Sequence, residues 1–443
     1  MFKKVLVATR GEIAVRIIRT LKEMNVSSVA VYTKADYAGM FVRLADESVC
    51  IGQDRANDSY LSIPALITAA KITGADAVHP GYGFLSESAD FSRACRDNGL
   101  VFIGPSPEAI NMIGLKTSAR ELAQKAGIPV ADGTSAMEAS KLLKEAGKIG
   151  FPLMIKASSG GGGKGIRVVR TQEELGKEIY VASTEAAASY GKSLMFLEKY
   201  IEKPRHIELQ FVRGLNGKTI VFPERECSIQ RHYQKLLEGT PSPGVDDALR
   251  LKLKAAVEKL TRLADYVGIG TAEFLLDRNG KYYFMEVNSR LQVEHTITEE
   301  VTGFDLVKEQ IFAVAGEKFS APDCPKPYGH AFEFRINAED PDNNFVPCAG
   351  TIKQWIPPGG PGVRVDTHVY PGYKLPIFYD SMLAKLIIWA PTRAEAVARA
   401  KRALGEFFID GVKTTIPLHM KIVSDKDFAA GNTDTSFLER LIK

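Results

Sequence analysis

The chain has 443 residues, 45% hydrophobic and 25% charged, more than one domain usually holds and ordinary for a folded globular protein. Its basic excess is only +4 and is dispersed, which argues against nucleic acid as a partner. No apolar run is long enough to span a membrane, and the short run after Lys3 and Lys4 is broken by Arg10 and Glu12, which argues against a signal peptide. The cysteines at 50, 95, 227, 324 and 348 are odd in number and lack metal-like spacing, so reduced thiols in a cytoplasmic protein are expected.

Residues 1 to about 113 alternate strand and helix signals. Strands are predicted at Val5–Ala8, Ser28–Tyr32, Ala77–His79 and Val101–Ile103, and helices at 11–24, 62–73 and 88–97. That order predicts a parallel sheet with helices on its faces and ligands near the strand ends. A helix near 117–127 leads into a second region, 114–200, with strands at Phe151–Lys156, Ile166–Arg170 and Met195–Tyr200 and a helix at 172–189. From 201 to 443 antiparallel signals dominate, at His206–Val212 and Thr219–Pro223, with helices near 392–408 and 412–424.

The second region holds Ser158-Ser159-Gly160-Gly161-Gly162-Gly163-Lys164-Gly165. Gly160, Gly162 and Gly165 satisfy the dinucleotide fingerprint, but a strand-like run follows where that fingerprint needs a helix. It is not a Walker loop either, because Gly165 stands where Ser or Thr would follow the lysine. A glycine loop between strands lets backbone N–H groups approach phosphate, so a mobile phosphate lid is expected over a plain hairpin tip. Glu198-Lys199-Tyr200-Ile201 reads equally as an edge strand or as a hinge facing an adenine. Lys116 and Lys156 are candidate phosphate ligands, although either alone reads as a surface charge.

The third region carries the densest chemistry. Asn279-Gly280 predicts a two-residue hairpin turn. Counting outward pairs Arg278 with Lys281, Leu275 with Phe284, and Glu273 with Glu286. Facing carboxylates repel unless a cation lies between them. With Asn288 on the same face, the donors are all oxygen and suit Mg²⁺ (or Mn²⁺) better than zinc, the alternative being a solvated sheet face with two unrelated acids. Asn288, Arg290, Gln292 and Glu294 then alternate, which predicts one polar face in extended backbone, as an active-site wall or a solvated surface.

The runs H-P-G-Y-G-F-L-S-E at 79–87, K-A-S-S-G-G-G-G-K-G at 156–165, E-K-Y-I at 198–201, P-R-H-I-E at 204–208, E-V-N-S-R-L-Q-V-E-H at 286–295 and R-I-N-A-E-D-P at 335–341 resemble the biotin carboxylase family, a branch of the ATP-grasp enzymes. The resemblance runs from R-G-E-I-A at 10–14 to Y-D-S-M at 379–382. It implies a Rossmann-like N-terminal domain, an ATP-grasp core with a glycine-rich lid, and a C-terminal biotin carboxylase domain. By resemblance, Lys116, Lys156, Gly161, Gly162, Gly163, Glu198, Lys199, Tyr200, Ile201, His206, Gln230, Glu273 and Leu275 would bind ATP. Glu273, Glu286 and Asn288 would hold magnesium. Lys235, Arg290, Gln292 and Val293 would bind bicarbonate, Glu294 would be the general base, Arg335 would face the ureido oxygen of biotin, and Tyr82 would join the substrate pocket.

Implied partners are a separate biotin carboxyl carrier protein, carboxyltransferase subunits and a second copy of the chain, with Arg19, Glu23 and Arg364 at the dimer contact. Acetyl-CoA is the first expectation for the final acceptor; pyruvate, a 2-oxoacid, another acyl-CoA or urea are alternatives. A different ATP-grasp ligase, or a nucleotide-binding relative without turnover, are the other classes. Lys421 reads as an ordinary helical lysine, and an end at Lys443 leaves the carrier to another chain. His232-Tyr233, Leu115, Thr296 and Pro361 depart from the usual family pattern.

Overall fold

The computed structural model describes residues 1–158, 166–190 and 194–442. The glycine-loop expectations, Gly161, Gly162 and Gly163 among them, lie outside the described residues.

The N-terminal region is a parallel sheet of β1 (Lys4–Val7), β2 (Ser27–Tyr32), β3 (Glu47–Cys50), β4 (Ala77–His79) and β5 (Val101–Phe102), in spatial order β3-β2-β1-β4-β5. The sequence reading found four of these strands. It missed β3, a short edge strand whose side chains are mostly exposed and which therefore has no hydrophobic pattern. The helix Gly11–Glu23 buries Ile13, Ile17 and Leu21, spaced four apart, against this sheet. The chain winds outward from β1 and then returns to β4 on the other side. The crevice between β1 and β4 is thus the switch point, where open α/β sheets bind ligands. Gly81 sits there with φ 63°, and a Cβ on it would come within 2.6 Å of Thr9 Cγ2, so only glycine lets the two strand exits approach.

A three-stranded antiparallel sheet follows, β6 (Leu153–Ala157), β7 (Arg167–Val169) and β8 (Met195–Lys199), in order β7-β6-β8. The helix Gln172–Tyr190 covers it with Leu175, Ile179, Ala182 and Ala186.

An eight-stranded antiparallel sheet forms the centre. Its strands are β9 (Arg205–Arg213), β10 (Thr219–Arg231), β11 (Gln234–Thr240), β12 (Gly268–Leu276), β13 (Tyr282–Asn288), β14 (His330–Asn337), β18 (Val363–Thr367) and β19 (Met382–Ala390). Between them in the chain lie the small strands β15 (Glu339–Asp340), β16 (Val346–Pro347) and β17 (Gln354–Ile356), and after them β20 (Phe408–Asp410). The order is β13-β12-β9-β10-β11-β14-β19-β18. The sequence reading missed β11, β14, β18 and β19 and the helix Asp247–Leu263. The buried strands run Phe332-Glu333-Phe334-Arg335 and Ala384-Lys385-Leu386-Ile387, where charged residues inside the core break the expected apolar pattern.

The β12–β13 hairpin corrects the predicted turn. Asp277 O accepts from Gly280 N at 3.2 Å, and Asp277 N donates to Lys281 O at 2.9 Å, which closes a three-residue loop with Gly280 at φ 77°. Leu275 therefore faces Tyr283 and not Phe284. A bulge at Met285 then shifts the register back, so Glu273 does face Glu286. The predicted pair holds because two one-residue errors cancel.

The predicted extended wall is also corrected. β13 ends at Asn288, the backbone turns through 289–294, and the helix His295–Thr302 begins with Glu294 as its N-cap residue.

Candidate active site

Three adjacent strands place Glu208, Glu273 and Glu286 in one rung, and Arg225 of β10 stands beside Glu208 in the same rung. Three neighbouring carboxylates are tolerated only with cations among them. Arg225 Nε donates to Glu208 Oε1 at 2.6 Å, and Lys116 Nζ lies 3.2 Å from Glu286 Oε2. Lys235, on β11, donates to all of Glu208, Glu273 (3.0 Å) and Glu294 (2.7 Å). Burial raises Glu273, but Lys235 and His206 outweigh it and hold that carboxyl far below the carboxylate range. The same contest, with Lys235 and Arg335 winning over burial, holds Glu294 ionised. Glu208 goes the other way, raised by burial and by Glu294.

His206 Nε2 lies 2.7 Å from Glu273 Oε2, and Gln230 Nε2 lies 3.4 Å from His206 Nδ1. A proton on Nε2 satisfies both contacts, with Nδ1 as acceptor. Asn288 Nδ2 and Gln292 Nε2 both donate to Glu273 Oε1, at 2.8 and 3.0 Å. Arg290 donates to Asn288 Oδ1 at 3.0 Å and Gln292 Oε1 at 3.1 Å, and its Nε lies 3.1 Å from Glu87 Oε2. The turn at 289–294 thus brings together the residues expected along a strand. Arg335, on β14, donates to Glu238 Oε1 at 2.7 Å and to Glu294 Oε2 at 3.0 Å. Thr296, where the family pattern has proline, uses its hydroxyl to donate to buried Glu333, two residues from Arg335.

The nucleotide candidates converge less completely. Lys156 on β6 donates to Glu198 on β8, which also accepts from Arg120 at 2.9 Å. Leu275 is the register partner of His206 and is half-buried. In the 198–201 segment, Lys199 N donates to Asp132 O at 2.7 Å and Tyr200 N to Pro152 O at 3.1 Å. Lys199 Nζ caps the carbonyls of Gly150 and Phe151. Those two amides and that ammonium are therefore engaged by the protein, so a hinge contact to an adenine must use other groups of the segment. His232 and Tyr233 form the two-residue turn between β10 and β11 with φ 47° and 65°, a left-handed pair without glycine.

At the dimer candidates, Arg19 and Glu23 are exposed, whereas Arg364 is tied within the chain to Asp366 and Glu299.

The donor types at Glu273, Glu286 and Asn288, two facing carboxylates and an amide two residues on, are those magnesium takes. Glu273 is held here by Lys235, His206 and Gln292, and Asn288 turns Nδ2 to Glu273 while its Oδ1 accepts from Arg290, so binding the ion would require these side chains to rearrange. His206, Glu208 and Glu273 also bring ligand atoms within 4.8 Å of one another, but with Lys235 and Arg225 already on those carboxylates. Glu208, Arg225 and Glu238 were missed as site residues. Glu208 alternates with His206 in P-R-H-I-E, a signal that was present; Glu238 lies in a strand that went unrecognised.

Three buried carboxyls near the site are raised mainly by burial: Glu12 and Glu333 to about 7 and Glu238 to about 8, the last against the pull of Arg335. The stability they contribute is complete below the unfolded glutamate range and is lost as pH rises through 7 to 8, where the unfolded chain has already released those protons. Buried His79, His368 and His419 are depressed by burial, so they act only as pH falls through about 6.5. The melting temperature is therefore expected to fall between pH 7 and 8.5. A thermal-denaturation series that stays flat or rises over that window contradicts the protonated state of these carboxyls.

Among the described residues no helix is long and apolar enough to cross a membrane. Three family models match the chain: the biotin carboxylase N-terminal domain over residues 1–110, the carbamoyl-phosphate synthase L chain ATP-binding domain over 116–321, and the biotin carboxylase C-terminal domain over 333–440. The chain is 49% identical to a biotin carboxylase of Nostoc sp., over 100% of both chains. It is 49% identical to biotin carboxylase 1 of Bacillus subtilis, over 99% of this chain and 98% of that one. The biotin carboxylase domain dimer of Hydrogenobacter thermophilus 2-oxoglutarate carboxylase, solved with MgADP, ADP and bicarbonate, superposes with a TM-score of 0.97 at 43% identity, covering 99% of this chain and 98% of that chain. Rhizobium etli pyruvate carboxylase superposes with a TM-score of 0.95 at 40% identity, over 100% of this chain and 41% of its own. Fold, site and relatives agree that the chain belongs to the biotin carboxylase family of ATP-grasp, ATP-dependent ligases.

Proposed function

We propose that the chain uses ATP and bicarbonate to carboxylate biotin held on a biotin carboxyl carrier protein, as the first half-reaction of a cytoplasmic acetyl-CoA carboxylase, and that it works as a homodimer. The observation that carries the reading is Glu294, ionised and fully buried between Lys235 and Arg335. Bicarbonate would lie against Lys235, Arg290, Gln292 and the Val293 amide and give its proton to Glu294. Its oxygen then attacks the γ-phosphorus, ADP leaves, and carboxyphosphate forms. Lys116, Lys156, the 160–163 glycines, the 198–201 segment, His206, Gln230 and Leu275 would hold the nucleotide. Magnesium held by Glu273, Glu286 and Asn288 would neutralise phosphate charge.

Carboxyphosphate breaks down to CO₂ and phosphate, and the phosphate takes the N1′ proton of biotin. N1′ attacks CO₂ while Arg335 stabilises the negative ureido oxygen, with Tyr82 on the rim of the same pocket. Every step gathers charge on oxygen, and fixed cations stabilise it without reorganising.

Acetyl-CoA as the acceptor is supported by the relatives of the same length, bacterial chains that carry the name biotin carboxylase alone at 45% to 49% identity. The solved domains of 2-oxoglutarate and pyruvate carboxylases, at 43% and 45%, overlap that range, so experiment decides the acceptor. The test is ATP hydrolysis by the purified chain with and without bicarbonate and free biotin. Hydrolysis that requires bicarbonate and rises with biotin is expected; hydrolysis indifferent to bicarbonate would point to another ATP-grasp ligase. Adding candidate carrier and carboxyltransferase proteins then identifies the acceptor.

A further inference from the structure

Lys385 takes no part in the chemistry above, yet it is a fully buried cation beside it. It lies on β19 with Arg335 directly across on one side and Asp366 on the other. A buried ammonium is costly unless it is paired and hydrogen-bonded. Its Nζ donates to Val293 O at 2.8 Å and lies 3.6 Å from Glu12 Oε2. The other oxygen of Glu12 accepts from the Tyr82 hydroxyl, and the Tyr82 ring centroid is 5.8 Å from Lys385 Nζ. Glu12 follows β1 and Tyr82 follows β4, so their bond spans the switch-point crevice.

The other end of the link is the turn at 289–294. Two peptide groups flank Val293, and both are held. Gln292 O accepts from His295 Nδ1 at 2.8 Å, and Val293 O accepts from Lys385. In a planar trans peptide the N–H points opposite the C=O. Holding Gln292 O therefore aims the Val293 N–H, and holding Val293 O sets the peptide plane that leads into Glu294. Residues separated by 92 positions in one case and 373 in another are joined through a single ammonium.

We infer that Lys385 is a positioning residue: with Glu12 and Tyr82 it braces the Val293–Glu294 peptide for bicarbonate and ties that setting to the Tyr82 side of the crevice. The inference rests on the bicarbonate site proposed above. It differs from a general packing role, because the brace acts on one substrate's site and leaves the nucleotide contacts alone.

The test uses the full chain, with ATP hydrolysis measured against bicarbonate and, separately, against ATP, and a melting curve for each variant. Lys385→Met keeps the length and removes the charge; Lys385→Arg keeps the charge. Lys385→Met should raise the KM for bicarbonate about tenfold or more, the scale seen when a partner that orients a ligand is removed, and leave the KM for ATP within about twofold. Lys385→Arg should recover most of the loss. Glu12→Ala, which removes the link whatever the protonation of the carboxyl, should raise the bicarbonate KM as well and weaken stimulation by free biotin. A folded Lys385→Met chain with an unchanged bicarbonate KM, or with equal rises for both substrates, overturns the brace. If Lys385→Met does not fold, Glu12→Ala decides, and an unchanged bicarbonate KM there overturns it. Parent enzyme without any bicarbonate requirement would instead sink the site assignment on which the brace depends.

Discussion

A Glu294→Ala chain is expected to fold and to lose about two to four orders of magnitude of bicarbonate-dependent ATP hydrolysis, the range for removal of an oriented general base. Retention of the fold follows from the partners. Without Glu294, Lys235 still contacts Glu208 and Glu273, and Arg335 still contacts Glu238, so neither buried cation is orphaned. Loss of turnover follows from the proton. In the ligand-free arrangement Lys235 and Arg335 make Glu294 a weak base. On the reading proposed above, bicarbonate at Lys235 would draw that ammonium toward itself, and the carboxylate would regain basicity when a proton acceptor is needed. Alanine offers no acceptor, and among the described residues no other carboxylate meets both Lys235 and Arg335. A coupled phosphate-release assay beside a melting curve checks both halves. A variant within tenfold of the parent would remove Glu294 from the chemistry.

Glu286→Gln is expected to lower ATP turnover about a hundredfold or more, comparable to loss of one fixed stabilising group at a charged transition state, while thermal stability holds or rises. The rung Glu208–Glu273–Glu286 places like charges side by side, and an amide at its end relieves part of that repulsion. Lys116 loses the carboxylate 3.2 Å away whose negative charge chiefly raises its pKa, but stays near Glu198 and Glu273. Turnover measured across a magnesium titration is the deciding experiment. An active Glu286→Gln chain with the parent's magnesium dependence would show that the rung does not hold the metal.

Much of the N-terminal sheet was legible because its strands are apolar runs bounded by glycine and proline. The central sheet was less so. β14 and β19 carry Glu333, Arg335 and Lys385 into the interior, and burial of charge erases the pattern by which a buried strand is read. The carboxylate rung was found by counting from a turn of the wrong length, and the bulge at Met285 repaired the count. The residues from Asn288 to Glu294 were grouped correctly and shaped wrongly: alternation implied a strand, but the run from Asn288 into Glu294, the N-cap of the next helix, turns them inward together. Glu12 and Lys385 carried no local signal, since their meaning lies in contacts across most of the chain. The resemblance to a known family supplied the chemical roles; neither periodicity nor spacing distinguishes a base from an anchor.

The three-residue loop and the bulge in the β12–β13 hairpin also bear on how this segment tolerates changes in length. A residue lost from Arg278–Gly280 leaves a two-residue loop that can still close on Asp277 and Lys281, and loss of Met285 removes the one residue of β13 left without a register partner, so either deletion keeps Glu286 facing Glu273. Loss of a paired residue such as Phe274 has no such outlet and would turn Glu273 to the opposite face of the sheet. Changes in length are thus expected to be tolerated at the loop and at the bulge, and not along the paired residues between them.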